Sequence, residues 1–96
     1  MAKETGESLW EVKLLSGALA DLRSLPVKLR DLAWEIVTDL TFDPYPSNAK
    51  QLRNFEDYWK IPLDGYRIVY RVSEQRKRVV VERVAPRRIV YSGLER

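Results

Sequence analysis

Residues 58–91 read YWKIPLDGYRIVYRVSEQRKRVVVERVAPRRIVY, and their periodicity decides the fold. Trp59, Ile61 and Leu63 alternate with Tyr58, Lys60 and Pro62, the period-two pattern of a strand with two unlike faces. Tyr66, Ile68, Tyr70 and Val72 repeat it, with Arg67, Val69 and Arg71 opposite. Asp64-Gly65 between these runs is a two-residue hairpin signal, because glycine takes a positive φ without strain. Glu74-Gln75-Arg76-Lys77 is a polar turn before a third run, Arg78–Ala85. The stretch predicts a three-stranded antiparallel meander. One face is apolar enough to be core; the other carries Lys60, Arg67 and Arg71, with Arg87, Arg88 and Tyr91 just after the last strand.

Upstream, Lys50–Asp57 leads into the meander, with Leu52 and Phe55 placed to plug the edge of the core. Residues 42–49, FDPYPSNA, carry two prolines and read as a surface loop. Before it, Leu29, Leu32, Ala33, Ile36, Val37 and Leu40 form a broad apolar helical stripe, and Pro26 suits the first turn of that helix. A preceding helix places Ala18, Leu19 and Leu22 on one face, begins with Ser16 as N-cap and stops near Ser24. Trp10, Val12 and Leu14 alternate with Glu11 and Lys13 as a short first strand, which must join the meander because a lone strand is not stable. Residues 1–8 read as a flexible tail. The prediction is one α+β domain over residues 1–96, ordered β-α-α-β-β-β, with a helical hairpin on a four-stranded, mostly antiparallel sheet.

Composition narrows the chemistry. The 96 residues suffice for a single core. They include no cysteine and no histidine, which excludes thiolate chemistry, a zinc site built on those ligands and a serine–histidine triad. No cofactor or metal is expected. Residues 1–8 lack an apolar signal core and no run approaches membrane-spanning length, so a cytoplasmic location and no membrane partner are expected. Residues 1–59 carry seven Lys/Arg against ten Asp/Glu, net −3, whereas residues 60–96 carry ten against four, net +6. Basic charge concentrated on a meander with interleaved aromatics points to a polyanion, nucleic acid first.

At Leu52-Arg53, Tyr58–Leu63, Gly65–Tyr70 and Val84–Tyr91 the sequence resembles the RelE/ParE superfamily of toxins from bacterial toxin–antitoxin modules. The GYRIVY run, followed by a basic strand and an R-x-x-x-Y ending, is the most specific part. The resemblance covers the chain from Trp10 on and implies the same β-α-α-β-β-β fold. It implies one of two activities: ribosome-dependent endoribonuclease cutting messenger RNA in the ribosomal A site, as in the RelE branch, or inhibition of DNA gyrase, as in the ParE branch. An inactive homologue that only binds antitoxin is a third reading. Each toxin of the superfamily is neutralised by an antitoxin that wraps it, so a hetero-oligomer with an acidic, partly disordered antitoxin segment is the implied partner, beside ribosome and messenger.

Carried over residue by residue, the resemblance implies a catalytic set of Lys60, Arg67, Arg87 and Tyr91. The RelE branch has a K-x-K pair where this chain has Lys60-Ile61-Pro62, so Pro62 replaces the second lysine. RNA is cut without metal when its 2′-hydroxyl attacks the adjacent phosphate in line. Arg67 and Arg87 suit the developing phosphorane charge, since guanidinium is always charged and grips two oxygens. Lys60 serves as base or second cation, and Tyr91 stacks on a base or moves a proton. Arg71, Arg78, Arg83 and Arg88 are read as RNA-backbone contacts, with solvated surface charge as the plainer alternative for Arg71, Arg76, Lys77, Arg78 and Arg83. Tyr66 and Tyr70 are read as core residues, and Trp10, Trp34 and Trp59 as packing, with Trp34, off the main stripe, alternatively facing a partner.

Overall fold

Between Leu63 and Tyr66 the chain reverses through Asp64 at φ 47° and Gly65 at φ 88°. Two successive positive φ values make the tight turn whose twist matches that of paired strands. The computed structural model describes residues 9–86; the expected tail at residues 1–8 lies outside the described residues, as do residues 87–96. The turn joins β3 (Phe55–Leu63) to β4 (Tyr66–Ser73), paired antiparallel with Trp59 opposite Tyr70 and Ile61 opposite Ile68. A second turn leads to β5 (Arg78–Pro86), also antiparallel to β4. The expected meander is present.

Two further strands complete a five-stranded sheet, ordered β1-β5-β4-β3-β2. β1 (Glu11–Leu14) runs parallel to β5, with Glu11 opposite Arg78. β2 (Lys50–Leu52) is antiparallel to β3 and adds one strand to the four expected. β2 is only 3 residues long and its register shifts at Gln51/Leu52, so too little alternation exists for the sequence to announce it. Its pairing begins at Lys50 opposite Lys60. Pro62 lies past that point, on a free edge of β3 where its missing N–H costs no ladder bond.

Two helices link β1 to β2. α1 (Ser16–Ser24) and α2 (Val27–Asp39) form the helical hairpin. Ser16 is not the N-cap: Leu15 holds that position and no side chain caps the helix. The Leu15 N–H still bonds Val81 O at 3.0 Å, so the chain passes from strand pairing straight into helix. Ala18, Leu22, Ala33, Val37 and Leu40 meet Ile61, Leu63, Ile68, Tyr70, Val72, Val79, Val81 and Val84 in the main core. Burying each larger aliphatic side chain there contributes about 1.5–3 kcal/mol. Leu32 departs from the expected stripe and is 44% exposed. It lies one residue, about 100° of helix, away from the Ala33–Val37–Leu40 row. Trp34 is likewise exposed, whereas Trp10 and Trp59 pack on the core with Tyr66.

Strict alternation along β5 would bury Arg83 beside Val79 and Val81. A bulge prevents it: across Val69/Tyr70 the partners jump from Arg83 to Val81, leaving Glu82 as an extra residue. Beyond the bulge Val84 returns to the core. Asp21 of α1 accepts hydrogen bonds from Arg83 Nε at 2.7 Å and from the Val84 N–H at 2.8 Å. Since β1 pairing with β5 ends at Leu14–Val81, this carboxylate takes the place of a strand partner along the β5 edge.

Leu52 and Phe55 do not plug the edge of that core. Leu52, Val69 and Ala85 are buried in a separate cluster, with Phe55 and Tyr58 packed against it. The loop after α2 is also more than surface: the Tyr70 hydroxyl, itself buried, donates to Pro44 O at 2.8 Å.

Candidate nucleic-acid interface

The face of the sheet opposite the helical hairpin presents the charged members of the alternation. β3 contributes Tyr58, Lys60 and Pro62; β4 contributes Arg67, Val69 and Arg71, with Arg71 opposite Tyr58 and Arg67 opposite Pro62. Lys60 stands opposite Val69, so Lys60 and Arg67 are diagonal neighbours across the hairpin, within reach for side chains of their length. Both are half-buried. Arg67 Nη1 donates to Tyr66 O at 3.0 Å, which leaves the guanidinium four further N–H donors for an anion.

The other end of β4 carries a second group of cations. Arg71 lies over the Tyr58 ring, 5.9 Å from its centroid, and its Nε meets Glu82 at 3.3 Å. Arg78, opposite Ser73, pairs with Glu11 at 3.0 Å. These ion pairs are solvent-exposed, and pairs of that kind are worth only about 0–1 kcal/mol. Arg83 stands opposite Val69 on this face, but its side chain turns to the sheet edge. Its bidentate pairing with Asp21 holds it at the β5 edge, and that hydrogen bond raises its pKa above the ordinary arginine value. Arg87, Arg88 and Tyr91 lie outside the described residues.

The structure thus brings Lys60 together with Arg67 and Arg71 with Arg78, on one sheet face separated by the apolar Leu52–Val69–Ala85 patch. Arg76, by sequence a solvated charge or a general phosphate contact, lines a cavity with Arg71, Ser73, Arg78 and Val80. The basic run Arg76-Lys77-Arg78 was the available signal, but only the turn geometry separates its members: Lys77 leaves at φ 52° to sit over Trp10, 4.7 Å from its ring. The largest described cavity, about 690 Å³, adjoins the basic one through Arg71 and Ser73 and carries Glu56, Asp57 and Glu74 against Arg71 alone. Its charge disfavours a polyanion. Beside it, burial and a bond to Glu74 hold the Tyr45 hydroxyl protonated well past the usual tyrosine range. Among the described residues no three acidic groups are clustered to hold a metal ion, and no helix is long and apolar enough to cross a membrane.

Residues 12–91 match the family described as ParE toxin of type II toxin–antitoxin system, parDE. No curated protein sequence matches the chain. Among solved structures, the chain is similar to one in a RelBE toxin–antitoxin complex from Mycobacterium tuberculosis, at 27% identity and TM-score 0.70, covering 82% of this chain and 99% of that one. The isolated RelE toxin of E. coli is 28% identical with TM-score 0.70, over 88% of this chain and 93% of that one. A YoeB/ParE toxin from Agrobacterium tumefaciens shares the fold at 16% identity and TM-score 0.67, over 79% of this chain and 96% of that one.

Proposed function

The chain belongs to the ParE toxin family of type II toxin–antitoxin systems, within the RelE/ParE superfamily, and on that premise we propose that it is a ribosome-dependent endoribonuclease. As the toxin of such a module it has a cognate antitoxin as partner; RelBE toxin–antitoxin complexes among its structural relatives support a hetero-complex. The observation that carries the nuclease reading is the diagonal placement of Lys60 and Arg67 across the β3–β4 hairpin, on the sheet face the helices leave uncovered.

On that face the messenger strand lies across the β3–β4 hairpin. Lys60 takes the proton of the attacking 2′-hydroxyl or neutralises a phosphate oxygen. Arg67 binds the two non-bridging oxygens as the O2′–P bond forms and the P–O5′ bond breaks; the departing O5′ takes a proton from water, leaving a 2′,3′-cyclic phosphate and a 5′-hydroxyl. An open sheet aligns a flexible strand poorly, so the ribosomal A site supplies the in-line orientation. A cytoplasmic location follows from that target.

Purified protein added to a translation reaction is expected to cut messenger within A-site codons and to leave naked RNA largely intact. Arg67→Ala removes a fixed charge aimed at the phosphorane and lowers the single-turnover cleavage rate roughly 10²–10³-fold, as loss of one oxyanion donor does. Arg23→Ala removes equal charge from α1 and leaves that rate unchanged. Equal rates for the two variants refute the catalytic face. One observation favours a second reading, gyrase inhibition: Pro62 stands directly opposite Arg67, where the cleaving branch has its second lysine. A wild type that cuts no messenger but arrests gyrase establishes it.

A further inference from the structure

The cations at the turn end of the open face form a cavity of roughly 270 Å³, lined by Arg71, Ser73, Arg76, Arg78 and Val80. Register explains why they converge. Ser73 is opposite Arg78 and Arg71 is opposite Val80, so all four share the open face. The Arg76 N–H donates to Ser73 Oγ at 3.3 Å, which anchors the turn that brings a third guanidinium to the rim. Glu82 and Glu11 occupy Arg71 and Arg78 through exposed ion pairs. Among the described residues nothing pairs with the Arg76 guanidinium.

We propose that this cavity is a phosphate subsite, separate from Arg67, that anchors a second phosphate of the same nucleic-acid strand. Three guanidiniums around one hydroxyl suit a compact oxyanion, and Arg forks match phosphate geometry. The cavity lies just below the usual small-ligand range of about 300–1,000 Å³ and has no aromatic wall, so it takes a phosphate and not a base. Arg67 and Arg71 are four residues apart on β4, about 13 Å at strand rise. No single phosphate spans that gap. A ligand engaging both ends must carry repeated anionic groups. This extends the nuclease reading from a reaction centre to a track that fixes where the strand lies.

The test is an amide-resolved titration of the full chain with inorganic phosphate and with a short oligouridylate, repeated at several salt concentrations. Inorganic phosphate should perturb Ser73, Arg76 and Arg78 more than Arg67. Arg76→Ala should weaken oligouridylate binding about tenfold, the loss of one hydrogen bond to a charged group. It should also flatten the log–log salt dependence by about 0.7, one phosphate contact on a single strand. Arg23→Ala, removing equal charge elsewhere, should change neither. Phosphate shifts centred on Arg67, or equal behaviour of the two variants, overturn the subsite while leaving the nuclease reading standing. Phosphate binding that Arg76→Ala abolishes, in a protein that cuts no RNA, upholds the subsite and sinks the nuclease reading. An acidic peptide that shifts the same amides at lower concentration than oligouridylate overturns the nucleic-acid assignment.

Discussion

Ile68 and Val69 are neighbours on β4, both sealed from solvent, yet they serve opposite faces of the sheet. Ile68 lies among the 14 buried residues of the main core, under α1 and α2. Val69 lies in a patch of three, Leu52, Val69 and Ala85, with Arg67 and Arg71 two residues to either side. One strand therefore carries core residues and exposed-face cations on alternate positions. The helix-covered face is apolar because nothing there can hydrate a charge. The uncovered face affords a row of guanidiniums because solvent screens them until an anion arrives. The two jobs separate cleanly only if substitutions on one face leave the other's property untouched.

Ile68→Asp should break the molecule most. It places a carboxylate with no partner among Leu22, Ile61 and Val84, and an uncompensated buried charge costs about 3 kcal/mol or more. Urea unfolding of this variant beside Arg67→Ala measures the contrast. The arginine variant should unfold within about 0.5 kcal/mol of wild type, as surface changes do, while losing its cleavage rate. A comparable loss of stability in both would mean that Arg67 is structural.

A smaller effect sharpens the same contrast at a buried hydroxyl on the core face. Tyr70→Phe removes the buried 2.8 Å bond to Pro44 O that ties the post-α2 loop to the sheet. About 1–2 kcal/mol should be lost at neutral pH, with an acceptor left unpaired. The pH dependence has a defined sign. Burial, and after it the negative charge of Asp43, raises the folded-state pKa of Tyr70 above that of the unfolded chain. Its contribution is therefore intact below about pH 10, where unfolded tyrosine ionises, and is lost progressively above it. Tyr70→Phe should show a shallower decline above pH 10, with a remainder from Tyr45, which is raised in the same direction. Denaturant midpoints at neutral and alkaline pH decide this; parallel declines would place the alkaline sensitivity elsewhere.

How much was legible follows from range along the chain. The Asp64-Gly65 turn and the Tyr66–Val72 alternation are local, so the sequence alone shows the hairpin and puts Lys60 and Arg67 on one face. The family resemblance was legible in the same stretch. β2 was missed because 3 residues cannot display a period. The bulge at Glu82 does have a trace in VVVERVA, where valines at 79, 81 and 84 break strict alternation. Its consequence did not, because the partner of Arg83 is Asp21, 62 residues away. The sequence therefore shows Arg83 as a surface cation without showing the carboxylate that holds it. For Arg76 the sequence leaves solvated charge and phosphate contact open, and only the turn geometry places it at the rim of the basic cavity.

The smallest expected effect tests the boundary of the covered face. On periodicity alone Leu32 belongs to the apolar stripe of α2, and an aspartate there would be as damaging as one at Ile68. The packing says otherwise: Leu32 is 44% exposed, whereas Ala33 beside it is wholly buried. An aspartate at position 32 keeps its water, leaves no cavity in the core and lies well clear of the basic face. Leu32→Asp should shift the urea midpoint by no more than about 0.5 kcal/mol, the usual range for surface substitutions. Messenger cleavage should be unchanged. A loss near that of Ile68→Asp would mean that the hairpin turns Leu32 inward, rotating α2 by about one residue's 100° relative to the sheet.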